Sequence, residues 1–183
     1  DKAKRSYKEF IEFDGQFADN VILQTKNGPL DWQPREPVHP LFGRMPNTNL
    51  NVGLQITQEY LGHAAHLIFL APQFKEYLDF DTLAQGENST MARVIDGSLH
   101  GNSLTSIAGT ANTGSAPDWT GHHFLQANWY AFGRLAWDHK LSSEAIAEEW
   151  IRMTWGNEKE VVSKCKQMML PSWRAAVNYF TPL

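Results

Sequence analysis

The chain has 183 residues, 42% hydrophobic and 20% charged, an ordinary globular balance with enough length for one or two buried cores. Its net charge is −4 with acidic and basic residues well mixed, so no basic groove forms and no nucleic acid is expected as a partner. No membrane span is expected either, since the most apolar run, Leu67-Ile68-Phe69-Leu70-Ala71, is far short of the roughly 20 residues needed.

Tyr7, Phe10, Ile11 and Phe13 predict an amphipathic helix over the first dozen residues, stopped by Asp14-Gly15. Asn20 to Thr25 predicts a buried strand ending at Lys26. Residues 27 to 49 follow as a long polar loop holding five of the nine prolines, and a long, stiff loop inside a compact domain usually carries function. Val52 to Thr57 is the next predicted strand, with Glu59 just past its end. His63 to Leu78 reads as a helix kinked or broken at Pro72. After a polar stretch, Ser103 to Thr110 is a third predicted strand. His123 to Trp137 is a strongly apolar helix. Ser142 and Ser143 are natural N-caps for a helix running to about Thr154, and a last helix covers about Lys159 to Leu170.

Strand, loop and helix in repetition, then helices alone, is an α/β pattern of the barrel or doubly wound kind entering a helical region. In a (β/α)8 barrel the chemistry sits beyond the C-terminal ends of the strands, which is where Lys26, Asp31, Glu59 and Asn112 fall. Three strands cannot close a barrel of eight. They leave an unpaired edge and uncovered apolar surface, so a companion chain, an oligomer or partial misfolding is expected.

Asp31 and Glu59 lie 28 residues apart, each within a block of residue types common in sugar sites. Glycoside hydrolysis needs one carboxylic acid to protonate the leaving oxygen and one carboxylate to activate water or attack the sugar. The plainer alternatives are a turn aspartate bonding its own backbone for Asp31 and an acidic first-turn residue of the next helix for Glu59. Lys26 is either a solvated strand-end lysine or a point charge for an acidic sugar. The seven tryptophans could stack on sugar rings, but core packing is the commoner role for any one of them.

His122-His123 and the pair His63 and His66 lack the third ligand a metal site requires, and no metal or cofactor is expected. The chain has no Gly-x-Ser-x-Gly elbow and no phosphate loop in Gly109 to Gly114. The single Cys165 excludes an internal disulfide. Asn88-Ser89-Thr90 matches a glycosylation acceptor, which matters only with secretion. The chain starts at Asp1 without an initiator Met or signal peptide and runs straight into a helical pattern. It therefore reads as an internal piece, and cytoplasmic and secreted locations both stay open.

The segments Gln24-Thr25-Lys26-Asn27-Gly28-Pro29, Gln33-Pro34-Arg35-Glu36-Pro37, Pro40-Leu41-Phe42-Gly43 and Gln55-Ile56-Thr57-Gln58-Glu59-Tyr60-Leu61-Gly62 closely resemble the α-glucuronidases of glycoside hydrolase family 67. So do Val94-Ile95-Asp96-Gly97, Trp119-Thr120-Gly121-His122 and Gln126 to Ala136. The resemblance covers nearly the whole chain and weakens after about residue 157. It implies an inverting enzyme that removes glucuronic acid, often 4-O-methylated, from xylo-oligosaccharides. It also implies that Asp31 and Glu59 activate the hydrolytic water, that Lys26 lines the sugar pocket, and that the general acid lies upstream. On this footing residues 1–140 are the last part of a (β/α)8 barrel and residues 141–183 begin an α-helical domain of the kind that often forms a homodimer. The alternative is a non-catalytic carbohydrate-binding or structural fragment, and the polypeptide alone is expected to be inactive.

Overall fold

A computed structural model describes residues 2–57, 66–113, 115, 117 and 122–180. The chain is mixed α/β, with a small three-stranded sheet and helices, and divides into two compact units: residues 1–54 with 76–109, and residues 55–75 with 110–183.

In the first unit, α1 (Lys2–Ile11) forms as its spacing predicts and carries an Arg5–Glu9 ion pair of 2.7 Å on its exposed face. Past Gly15, which adopts φ +74°, the chain enters β1 (Ile22–Lys26). The Asp14 carboxylate accepts from the backbone N–H of Asn47 at 3.1 Å and the Thr48 hydroxyl at 2.8 Å. That clamp fixes the start of β2 (Asn49–Gln55), which begins three residues before the predicted Val52. β1 and β2 run parallel, with Ile22 opposite Asn49 and Lys26 opposite Gly53. β3 (Ser106–Thr110), shorter than predicted, flanks β2 on its other side.

One face of the sheet is polar. Asn51 of β2 donates from Nδ2 to the Ser106 hydroxyl of β3 at 2.7 Å. The other face buries Leu50, Val52 and Leu54, each 1–2% exposed, and this unit's core also includes Leu41, Phe42, Met45, Leu78, Met91 and Leu99. Each such side chain contributes about 1.5–3 kcal/mol by leaving water.

The predicted helix from His63 to Leu78 needs correction. Residues 63–65 lie outside the described residues, 66–70 are not helical, and α2 starts only at Ala71 (Ala71–Asp79). Pro72 stands in its first turn, where a missing N–H costs nothing, so it opens the helix instead of kinking it. A one-turn helix, α3 (Met91–Ile95), lies in the stretch read as polar loop. Thr90 caps it by accepting from the Arg93 amide, and four of its five residues are buried.

The second unit holds α4 (His123–Trp137), α5 (Ser143–Trp155), α6 (Lys159–Met169) and α7 (Ser172–Phe180), the last of which was not predicted. Ser142 caps α5 through the Ala145 amide, and Gly156, at φ +94°, ends it. Glu149 of α5 takes Arg134 and the Tyr130 hydroxyl of α4, both at 2.9 Å. Phe124, Trp150 and Trp155 form an aromatic cluster with centroids 4.9–6.0 Å apart. Trp150 and Trp173 are core residues, whereas Trp137 is 88% exposed at the end of α4. The apolar run before α2 is not helical and is held by side chains: Asn128 binds Leu70 and Ile68, and Ser172 binds Phe69.

Candidate active site

The site grows from the C-terminal end of β1. Lys26 is the last residue of that strand, and the loop after it folds back so that the Asp31 carboxylate accepts from the Lys26 ammonium. Both side chains stay accessible, Lys26 36% and Asp31 48% exposed. The ammonium also lies 4.6 Å from the centroid of the Trp32 ring, close enough for a cation–π attraction.

Trp32 is pinned in turn. Its indole N–H donates to the Gly53 carbonyl of β2 at 3.1 Å, an acceptor shared with the Asn27 amide at 3.1 Å. A Cβ on Gly53 would come within 3.2 Å of Gln24. Trp32 holds φ +53°, the left-handed region, which costs a bulky residue on the order of 1–3 kcal/mol and persists only where its surroundings enforce it.

The enforcing group is Glu36. Its carboxylate is buried at 5% exposure and accepts three backbone N–H bonds: Asp31 and Gln33 on Oε1, each at 2.7 Å, and Leu30 on Oε2 at 2.8 Å. Hydrogen bonds to a charged acceptor contribute about 1.5–3 kcal/mol each. Gly28 makes room for this group, since a Cβ there would lie 2.3 Å from Glu36 Oε2. The Tyr77 hydroxyl donates to the Glu36 carbonyl at 3.1 Å, and burial first of all pushes that phenol up to about 12. His39 packs beneath. Its amide donates to the Asn27 carbonyl at 2.8 Å, its Nδ1 accepts from the Leu41 amide, and burial lowers its pKa.

The expected Lys26 and Asp31 are thus brought together. Glu59 lies outside the described residues. Just before it, the Thr57 hydroxyl accepts from the Asn112 amide at 2.9 Å, and the Ile56 amide donates to the Thr110 carbonyl at 2.8 Å, so the chain beyond β2 is tied to the chain beyond β3. Sequence reasoning missed the roles of Glu36 and Trp32. The available signal was a glutamate set between Pro34 and Pro37, where an unpaired acidic residue has no local reason to stand. Among the described residues, no group of three His, Cys, Asp or Glu could hold a metal ion, and no helix is long and apolar enough to cross a membrane.

Chemically, the arrangement offers a carboxylate able to take a proton from water beside a cation able to pair with an anionic substrate. The family is decided by matches along the whole chain: residues 1–119 match the glycosyl hydrolase family 67 middle domain, and residues 120–183 match the glycosyl hydrolase family 67 C-terminus. The chain belongs to glycosyl hydrolase family 67.

Three curated relatives agree. The chain is 45% identical to alpha-glucuronidase A of Emericella nidulans, 43% to a probable alpha-glucuronidase A of Aspergillus flavus and 41% to an alpha-glucuronidase of Hypocrea jecorina. Each similarity runs over 98% of this family 67 chain and 21% of the relative, so the chain spans about a fifth of their length.

Proposed function

We propose that this chain supplies the water-activating side of an inverting α-glucuronidase, which releases glucuronic acid or its 4-O-methyl ether from xylo-oligosaccharides during xylan breakdown. The observation that carries the reading is the accessible Lys26–Asp31 pair beyond the C-terminal end of β1, in a chain of family 67. Asp31 and Glu59 share one water, one abstracting its proton and the other orienting it. Lys26 meets the carboxylate of the sugar. Inversion requires the proton donor on the opposite side of the glycosidic bond, with room for water between, and that donor comes from a part of the enzyme outside this sequence.

On the same reading the three strands are part of a (β/α)8 barrel, residues 1–140 closing the barrel and 141–183 opening a helical domain. Support comes from the parallel β1–β2 pairing and from Val21 and Ile22, which are 37% and 41% exposed at the sheet's β1 edge. Such an edge calls for a further strand, from the rest of the enzyme or from a companion chain. A homodimer through the helical region fits the same picture.

The test uses the full-length enzyme and a glucuronosyl xylo-oligosaccharide, followed by proton NMR. Asp31→Ala and Glu59→Ala should each lower kcat by about 100-fold or more, and the released acid should first appear as the β anomer. Hydrolysis by Asp31→Ala at the wild-type rate would remove the proposal.

A further inference from the structure

The buried Glu36 carboxylate, bonded to the amide of Asp31, takes no part in the chemistry proposed for Asp31 and Lys26. We infer that Glu36 is a positioning residue for the Asp31 site, an internal anion around which residues 28–33 are wound so that Asp31 and Trp32 reach their working places. The inference rests on the proposed function of Asp31.

Three observations carry it. The amides of Asp31 and Gln33 converge on the same oxygen of Glu36, both at 2.7 Å, while Leu30 takes the other oxygen. The residue between those two amides, Trp32, is the left-handed one, at φ +53°. A left-handed residue can turn the N–H groups on either side of it towards one point, which is one way a backbone builds a concave anion site. Here the protein fills that site with its own carboxylate. Finally, Gly28 leaves no Cβ where Glu36 lies, so the loop closes around the carboxylate on that side as well.

At 5% exposure Glu36 does not reach substrate, which makes it a positioning group and not a catalytic one. The consequences for Asp31 and Lys26 differ. Lys26 is placed by the β1–β2 register opposite Gly53, whereas Asp31 hangs from an amide that Glu36 holds. Loss of Glu36 should therefore displace the base more than the cation.

The neutral Glu36→Gln variant is the informative one. With its carbonyl oxygen on the Asp31 and Gln33 amides, its NH2 group faces the Leu30 N–H, donor against donor. Misplacement of a reacting group by about 1 Å costs on the order of 100-fold in rate. In the full-length enzyme, Glu36→Gln should lose about tenfold in kcat and Glu36→Ala about 100-fold, with KM changing less than about threefold. Added formate, small enough to refill the three amides, should restore kcat to Glu36→Ala and leave Glu36→Gln unchanged.

Circular dichroism checks that each variant folds. If Glu36→Ala does not fold, the Glu36→Gln split between kcat and KM decides alone. A folded Glu36→Gln with wild-type kcat beside an inactive Asp31→Ala would overturn the inference and leave the proposed function standing. Formate that raises the Tm of Glu36→Ala but not its kcat would reduce Glu36 to a structural anchor. An active Asp31→Ala would overturn both readings together.

Discussion

Asn128 offers a stability test whose size follows from its bonds. It is 1% exposed on α4, and its side chain bonds the backbone of the non-helical run before α2 much as a neighbouring strand would. Its Oδ1 accepts from the Leu70 amide at 2.8 Å, and its Nδ2 donates to the Ile68 carbonyl at 3.0 Å. Leu70 and Ile68 are themselves only 3% and 4% exposed, so water does not readily replace the lost carboxamide. Orphaning a buried amide costs about 1–3 kcal/mol, and the lost bond to Ile68 about 0.5–1.5 kcal/mol more. Asn128→Ala should therefore destabilise the protein by about 1.5–4.5 kcal/mol.

Ser172 supplies a second comparison on the same run. Its hydroxyl accepts from the adjacent Phe69 amide at 2.8 Å and donates to the Met169 carbonyl at 2.5 Å. Urea unfolding of the full-length protein, with exchange of the Leu70 amide as a local probe, measures Asn128→Ala, Ser172→Ala and the double variant. Because both side chains hold one four-residue run, the double variant should depart from additivity by at least about 0.5 kcal/mol. Asn128→Asp, which sets an oxygen against the Ile68 carbonyl, should be no milder than alanine at neutral pH. A cost below about 0.5 kcal/mol for Asn128→Ala, or unchanged exchange at Leu70, would refute the strand-substitute account.

Two further outcomes are expected. Gly28→Ala places a Cβ 2.3 Å from Glu36 Oε2 and 2.6 Å from Glu36 Cβ, so the loop must shift, at a cost of about 1–3 kcal/mol measurable by urea unfolding. At the α5–α6 contact, hydrogen bonds from Lys166 and then Arg152 hold the Glu148 carboxyl down from 4.5 to about 2. A depressed folded-state value means the unfolded chain takes up the proton first. The contribution of Glu148 is then full above about pH 4.5 and fades as the pH falls to about 2. Acid unfolding scans should show a shallower decline in that window for Glu148→Gln, and a weaker difference at high salt, since the side chain is 36% exposed.

The long helices were legible where periodicity reports burial, and the strand end at Lys26 was read to the residue. But β1, expected as a buried strand, has no buried residue and lies at the sheet edge. The failures have physical causes. β2 begins at Asn49, not Val52, because its polar residues face across the sheet, Asn51 bonding Ser106, and composition reads such residues as loop. Residues 67–70 have no period to separate helix from extended chain, and their state is set by Asn128 and Ser172, dozens of residues away. The five residues of α3 are too few to show a 3.6-residue repeat. Trp137 looks like core by residue type, yet its position at the last turn of α4 leaves it outside.

The site was half legible for a related reason. Two acidic residues five apart, Asp31 and Glu36, stand in one proline-rich loop, and local rules favour the aspartate as the one that ties down the turn. The geometry assigns the tasks the other way. The turn amides at 30, 31 and 33 go to Glu36, and the Asp31 carboxylate is turned to Lys26. Glutamate has the extra methylene needed to reach back over the loop from residue 36, and Gly28 clears the space it enters. Sequence shows which residues can carry charge. Which of two carboxylates is buried and which stays accessible goes with a left-handed turn at Trp32 that its residue type argues against. A rule that weighs each acidic residue singly therefore misassigns such a loop, and one that asks where the loop's own amides must go finds Glu36 first.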